Sequence, residues 1–300
     1  MTNLRSAYVD LAAIRENVST LQNFAKNSEV MAVVKANAYG HGLIPVSKAA
    51  RQGGATWLGT ALLEEAIELR NSGDKGRILT WLGSPSDKWQ ECIELEIDVS
   101  VCSIEIASQI INASKKSNKQ AKVHIKVDTG LGRNGVMPND LEDLVNLLEE
   151  AKSSGLIEVV AVWTHFSLAD APSSPTIKKQ LEVLDESFKY VESRGFKNLM
   201  KHAANSAATL TSPDAHFDLV RPGIAVYGIT PGGELKHASE YGLRPAMSLK
   251  AQVALVKEMG EDANGNFSNL RVVKIPGDVE WAIDEYDGLE CVAEKHRTWQ

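Results

Sequence analysis

The sequence predicts an α/β chain: a closed (β/α)8 TIM-type barrel followed by an incomplete β domain. Three observations predict it. Short β-branched or apolar runs alternate with longer segments of helical period, the pattern of parallel strands joined by helices. About eight such runs precede residue 230, which favours closure over an open doubly wound sheet, and no dinucleotide-type glycine fingerprint follows the first run. From Leu243 the texture changes to a long apolar-polar alternation over residues 247–256 with no helix after it.

Taken in order, Leu11, Ile14, Val18 and Leu21 recur at helical spacing and precede a buried strand at residues 30–34 that ends at Lys35. A helix at 43–51 closes at Gly53 and Gly54, and a strand at 57–60 leads to a helix through Leu62, Ala66 and Leu69 that stops at Gly73. Strands at 78–82 and 98–102 flank a helix at 89–95, with Asp87 as its cap. A helix at 104–113 leads to the strand at 122–127, whose alternation is good, and to a loop at 128–135. Leu141, Leu144, Val145 and Leu148 mark the next helix, 158–163 the next strand, and Ile177, Leu181, Leu184, Phe188 and Val191 the clearest amphipathic helix. Runs at 199–202, 217–220 and 224–227, with a short helix at 206–210, complete the barrel. Pro231, Gly232 and Gly233 interrupt the pattern, so the domains are read as a barrel over 1–230, a linker over 231–243, and the start of a β domain with an acidic tail over 244–300.

Composition narrows the function classes. With 300 residues, 43% of them apolar, and 32 basic against 39 acidic side chains, the chain is a soluble globular type with a net charge of −7. That balance gives no electrostatic reason for a nucleic acid or an anionic membrane as partner, so a small-molecule substrate is expected. The acidity is concentrated: residues 260–300 hold nine acidic and four basic side chains. Cys92, Cys102 and Cys291 are odd in number and lack CxxC spacing, so neither a disulfide framework nor a metal site is indicated. No basic stretch followed by an apolar run opens the chain, and the apolar runs fall short of a membrane span, so a cytoplasmic protein is expected.

In such a barrel the residues that follow the strands face the active site. Here they include Lys35, Asp128, Arg133, His165, His202, Asn205 and Arg221. A lysine at the end of an apolar run either snorkels to solvent or is partly desolvated, which lowers its pKa and frees a neutral amine to attack an aldehyde. Gly40 and Gly42 let the chain turn close to a ligand, and Ser206 with the amides of Gly223 and Ile224 can accept a phosphate without a basic side chain. Arg133 and Arg221 have no obvious acidic partner at i±3 or i±4 on an exposed helix face; each is a structural ion pair or a fixed contact to a carboxylate, phenolate or ring nitrogen.

Five segments occur together in order: AVVKANAYGHG at 32–42, VDTGLGRNG at 127–135, THF at 164–166, HAANSA at 202–207 and RPGIAVYG at 221–228. This set resembles the alanine racemase family, its first segment being similar to the pyridoxal phosphate attachment motif. The resemblance implies that Lys35 forms the internal aldimine with pyridoxal 5′-phosphate and serves as one of two acid/base groups. It implies that Tyr39, Ser206, Gly223 and Ile224 hold the phosphate. Arg133 would contact the phenolic oxygen and the substrate carboxylate, and Arg221, supported by His202, would face the pyridine nitrogen. It also implies a homodimer in which a partner tyrosine, oriented by His165, supplies the opposite-face proton group that racemisation requires. The match runs to about Met259; Tyr286 is the only tyrosine in residues 260–300, in an acidic setting that raises its pKa.

Three functions follow as expectations. The first is an alanine racemase interconverting L- and D-alanine for cell-wall (peptidoglycan) precursor supply. The second is a pyridoxal phosphate-binding barrel with little or no racemase activity, lacking the opposite-face tyrosine. The third is a barrel acting on another amino acid through the same cofactor.

Overall fold

The computed structural model describes residues 5–84 and 88–251, and beyond them the backbone of three strands, Val256–Glu258, Arg271–Lys274 and Glu280–Ile283. Contacts divide the chain into two units, residues 10–246 and residues 1–9 with 247–300. In chain order the strands are β1 (Arg5–Val9), β2 (Glu29–Val33), β3 (Trp57–Thr60), β4 (Arg77–Thr80), β5 (Asp98–Val101), β6 (Ala121–Lys126), β7 (Ile157–Trp163), β8 (Met200–His202), β9 (Leu219–Val220) and β10 (Met247–Ala251).

The larger unit is the predicted barrel. Eight parallel strands run in the order β8-β7-β6-β5-β4-β3-β2-β9. Its ends are joined by backbone bonds from Asp218 N–H to Lys201 O (3.1 Å) and from Arg221 N–H to Ala204 O (2.9 Å). Helices link successive strands from β2 to β8, and the helix Leu11–Phe24 precedes β2. That first helix forms because Asp10 caps it, its carboxylate accepting from Ala12 and Ala13 N–H at 2.9 and 3.2 Å. Ile14, Val18 and Leu21 then fall on one face and are fully buried, about 1.5–3 kcal/mol each for such side chains.

Some details depart from the sequence reading. Residues 224–227 form a single 3-10 turn, Ile224–Tyr227, not an extended run. The reason is local: Gly228 takes φ +79° and the Tyr227 hydroxyl is drawn inward to Val33 O at 3.1 Å. The helix Trp89–Glu94 begins after Lys88, which makes no side-chain cap bond; Asp87, the expected cap, lies outside the described residues.

Residues 231–243, read as a linker, group with the barrel. Leu243 and Ala246 are buried there, and Arg244 pairs with Asp10 and Glu16 at 2.6 and 2.9 Å. The smaller unit contains an antiparallel pair, β1 with β10, in register from Arg5 opposite Ala251 to Val9 opposite Met247. So the alternation at 247–256 begins a strand whose partner is the N-terminal segment. The three later strands form a separate antiparallel sheet. Tyr286 lies outside the described residues. Among the described residues no helix is long and apolar enough to cross a membrane.

Candidate active site

A cavity of about 200 Å³ opens at the carboxyl ends of the barrel strands. Its lining includes Lys35, Tyr39, Arg133, His165, Ser206, Arg221, Gly223 and Ile224, and also Lys126, Trp81, Trp163 and Asn205. Of the residues predicted to face the site, His202 and Asp128 do not line it: His202 lies fully buried behind Arg221, and the Asp128 carboxylate accepts from Gly130 and Gly132 N–H in its own loop.

Lys35 is delivered by an unusual backbone. Ala36, Asn37, Ala38 and Tyr39 all adopt left-handed φ, from 52° to 54°. For non-glycine residues this costs roughly 1–2 kcal/mol each, so neighbours must impose it. The Ala36 N–H donates to Glu65 Oε1 at 2.5 Å, while Glu65 Oε2 accepts from Ala61 and Leu62 N–H at 3.1 Å each. Asn37 Oδ1 accepts from Leu43 N–H at 2.8 Å, and His41 Nδ1 lies 3.0 Å from Tyr39 O. Gly40 and Gly42, at φ +81° and +96°, then let the chain leave the turn. The result places the Lys35 ammonium 5.8 Å from the Tyr39 ring centroid.

Burial, with Arg133 nearby, lowers the Lys35 pKa from its ordinary value; Glu65 opposes the shift. Lys126, at the end of β6, is 2% exposed, and burial together with Arg133 and Arg221 lowers it to about 8. Sequence reasoning missed Lys126. Burial and the surrounding cations take His165 down to about 3, so its imidazole is neutral at physiological pH.

Ser206, in the same cavity lining, opens the short helix Ser206–Thr211, whose cap is Asn205 Oδ1 accepting from Ala208 N–H at 3.1 Å. The Ser206 hydroxyl accepts from Gly223 N–H (2.9 Å) and Ala225 N–H (3.2 Å), gathering backbone donors at one end of the cavity. A Cβ on Gly223 would lie 2.5 Å from the Tyr39 hydroxyl, so only glycine admits that phenol beside the donors. Arg221 forms the floor. It donates to His202 Nδ1 (3.0 Å), Thr164 O (2.7 Å) and Ala203 O (3.0 Å), and its guanidinium lies 4.6 Å from the Trp163 ring centroid. Burial lowers its pKa to about 9, which leaves it a cation at neutral pH.

The cavity therefore offers an amine of lowered pKa, a cluster of hydroxyl and backbone donors, and a buried guanidinium. It holds four cations, and no carboxylate lines it among the described residues. Pyridoxal 5′-phosphate needs an amine for its aldehyde, donors for its phosphate and a partner for its ring nitrogen, so the residues present fit it.

The chain resembles known proteins in sequence and in fold. Residues 9–231 match the family model described as alanine racemase, N-terminal domain. The chain is 47% identical to the alanine racemase of Streptomyces coelicolor over 258 residues, 84% of this chain and 66% of that protein. It is 44% identical to the alanine racemase of Frankia casuarinae, over 86% of this chain and 67% of that protein. The chain thus spans about two thirds of the length of these relatives. The crystal structure of alanine racemase from Streptomyces lavendulae superposes with a TM-score of 0.84 at 43% identity, covering 94% of this chain and 73% of that one. The alanine racemase of Bacillus anthracis with bound L-Ala-P gives 0.75 at 32% identity, over 91% and 72%. The chain belongs to the alanine racemase family, pyridoxal 5′-phosphate-dependent isomerases, and carries the family's N-terminal barrel.

Proposed function

We propose that the protein is an alanine racemase that interconverts L- and D-alanine with pyridoxal 5′-phosphate. The observation that carries this reading is the convergence of Lys35, the Ser206–Gly223 donor cluster and Arg221 on one small cavity. When bound, the cofactor supplies an electrophilic carbon and a conjugated ring that withdraws electrons from the substrate Cα. The Lys35 amine, eased toward neutrality by burial, would hold the cofactor at that carbon and, once the substrate amine has displaced it, would take and return the Cα proton on one face. Tyr39, Ser206, Gly223 and Ile224 would hold the phosphate. Arg133 would contact the phenolic oxygen and the substrate carboxylate.

Arg221 sets the reaction type. A group that is cationic at neutral pH and can only donate would leave a bound ring nitrogen unprotonated, which would weaken the ring as an electron sink and favour prompt return of the proton. Neutral His165 orients the opposite-face acid/base group, which in this reading comes from a second copy of the chain. A homodimer has support in the exposed side chains Leu62, Leu82, Ile104, Met137 and Leu168, all in segments that follow barrel strands, on the same rim as the cavity. We assign β10 (Met247–Ala251), with its partner β1, to the start of a β domain. The product is used in cell-wall precursor synthesis, which places the work in the cytoplasm.

The test uses the purified chain with pyridoxal 5′-phosphate in deuterated water. Racemisation predicts deuterium at Cα of both enantiomers and appearance of the second enantiomer. Exchange at L-alanine without D-alanine supports the alternative, a cofactor barrel with a single working base; no exchange and no cofactor absorbance sink both.

A further inference from the structure

We propose that Asp98 is a positioning residue for Arg221, acting through two neutral imidazoles, His124 and His202, in one directed hydrogen-bond chain across the barrel interior. The contacts run unbroken. Arg221 Nη1 lies 3.0 Å from His202 Nδ1, His202 Nε2 lies 3.0 Å from His124 Nδ1, and His124 Nε2 lies 3.0 Å from Asp98 Oδ2. Arg77 donates to the same carboxylate oxygen from the far side. Asp98, His124 and His202 are each 0% exposed.

The direction of the chain follows from what its ends can do. A guanidinium only donates, so His202 Nδ1 carries no proton. A neutral imidazole then bears its hydrogen on Nε2, which donates to His124 Nδ1; His124 in turn donates from Nε2 to Asp98. An ionised carboxylate only accepts, so the far end demands the same direction independently. Protonating either histidine would set a hydrogen against a hydrogen inside the barrel and add a cation near the buried guanidinium. Burial lowers the pKa of both imidazoles, and Asp98, although burial raises it, is held below its ordinary value by His124 and Arg77.

Aromatic walls keep the chain dry. Trp163 stacks on His202 with centroids 5.3 Å apart and planes 10° from parallel, and the Trp57 ring meets His124 edge-on at 5.5 Å. In such surroundings a terminal carboxylate strengthens each acceptor along the series. His202 Nδ1 becomes the stronger anchor for Arg221, three of whose five N–H groups are then committed to the barrel, leaving two for the cavity that it lines. The consequence at the ring nitrogen rests on the cofactor reading above; the chain itself does not.

The test begins with apoprotein labelled with ¹⁵N-histidine. Long-range proton–nitrogen correlations should show His124 and His202 both as the neutral Nε2–H form across about pH 6–8. In Asp98→Asn the His202 Nδ1 resonance should move toward that of an unbonded imidazole nitrogen. In Arg77→Gln, where Asp98 loses a competing donor, it should move the opposite way. Arg77 is 41% exposed at its side chain, so this second variant reads the chain even where Asp98→Asn does not fold. With cofactor and alanine, Asp98→Asn should lower kcat about tenfold with KM unchanged. A proton on Nδ1 of either histidine overturns the proposal, as does a His202 resonance that stays put in the folded variants. If the resonances behave as stated but the wild type turns over no alanine, the racemase reading fails and the chain stands.

Discussion

The two ends of the barrel treat positive charge differently. At the mouth, Lys35, Lys126, Arg133 and Arg221 line one cavity, and no carboxylate lines it among the described residues. At the opposite end, Arg51 meets Asp74 through two bonds of 3.0 and 2.9 Å, Arg70 donates to the carbonyls of Leu95, Asp74 and Gly76, and Arg77 meets Asp98. The lower charges complete one another and serve the fold. At the mouth the desolvation of Lys35 and Lys126 outweighs what their anionic neighbours return, visible in their lowered pKa values, and an anionic ligand would offset it.

The sharpest way to break that contrast is Lys35→Ala. In the proposed reading Lys35 supplies the amine that binds the cofactor and moves the Cα proton, so its loss should abolish the visible absorbance of bound cofactor. Alanine turnover should fall by about a thousandfold or more. Retained absorbance with the variant would detach Lys35 from the cofactor and leave the mouth's charge unexplained.

Lys126→Met probes the same end with the opposite sign. The folded pKa of about 8 lies below the ordinary 10.5. Below pH 8 the ammonium is present in both the folded and unfolded chain, and its full desolvation cost falls on the folded one. Between 8 and 10.5 the folded group is neutral while the unfolded one is still charged, so the cost shrinks, and above 10.5 it is gone. The substitution should therefore stabilise the protein at pH 7 by up to roughly 3 kcal/mol, an advantage that fades as pH approaches 10.5. Thermal melts at several pH values check it; a variant less stable than wild type at pH 7 would show that Lys126 is already well paired.

Asp74→Ala is the matching test at the lower end. It strips Arg51 of a two-bond partner and Gly76 N–H of its acceptor, so stability should fall by about 2 kcal/mol. Cofactor absorbance per folded molecule should not change. A changed absorbance would mean that the two ends are coupled through more than the Asp98 chain.

How much of this was legible in the sequence depends on which way side chains face. The strands and helices of the barrel were legible because their apolar residues repeat with the right periods, and the residues after each strand pointed to most of the cavity. The interior of β6 was not. Its Lys122, His124 and Lys126 alternate with Val123, Ile125 and Val127 as in a strand with one wet face, yet His124 and Lys126 are as buried as Val123 and Ile125. In a closed barrel both faces of a strand are covered, one by helices and one by the barrel's own interior. Alternation alone therefore cannot separate a solvated lysine from one in the site. Asp98 was hidden for the same reason, at the start of a short strand. The left-handed turn after Lys35 has no signal in Ala36, Asn37 and Ala38, since the contacts that enforce it come partly from Glu65, some thirty residues on.

That turn yields the smallest and most specific prediction. Glu65 accepts three backbone hydrogens, from Ala36, Ala61 and Leu62, and its charge is what holds the Lys35 pKa up against burial and Arg133. Glu65→Gln keeps the shape but offers one acceptor oxygen and points an amide at a donor, so stability should fall by about 1–2 kcal/mol. The electrostatic effect is separate. With the carboxylate gone the Lys35 ammonium loses the neighbour that raises its pKa, which drops further. Cofactor capture by apoprotein requires the neutral amine, so the rise of the capture rate with pH should shift to lower pH in the variant. A purely structural role for Glu65 would lower the capture rate at every pH without moving that rise, and a shift toward higher pH would mean that another group governs Lys35.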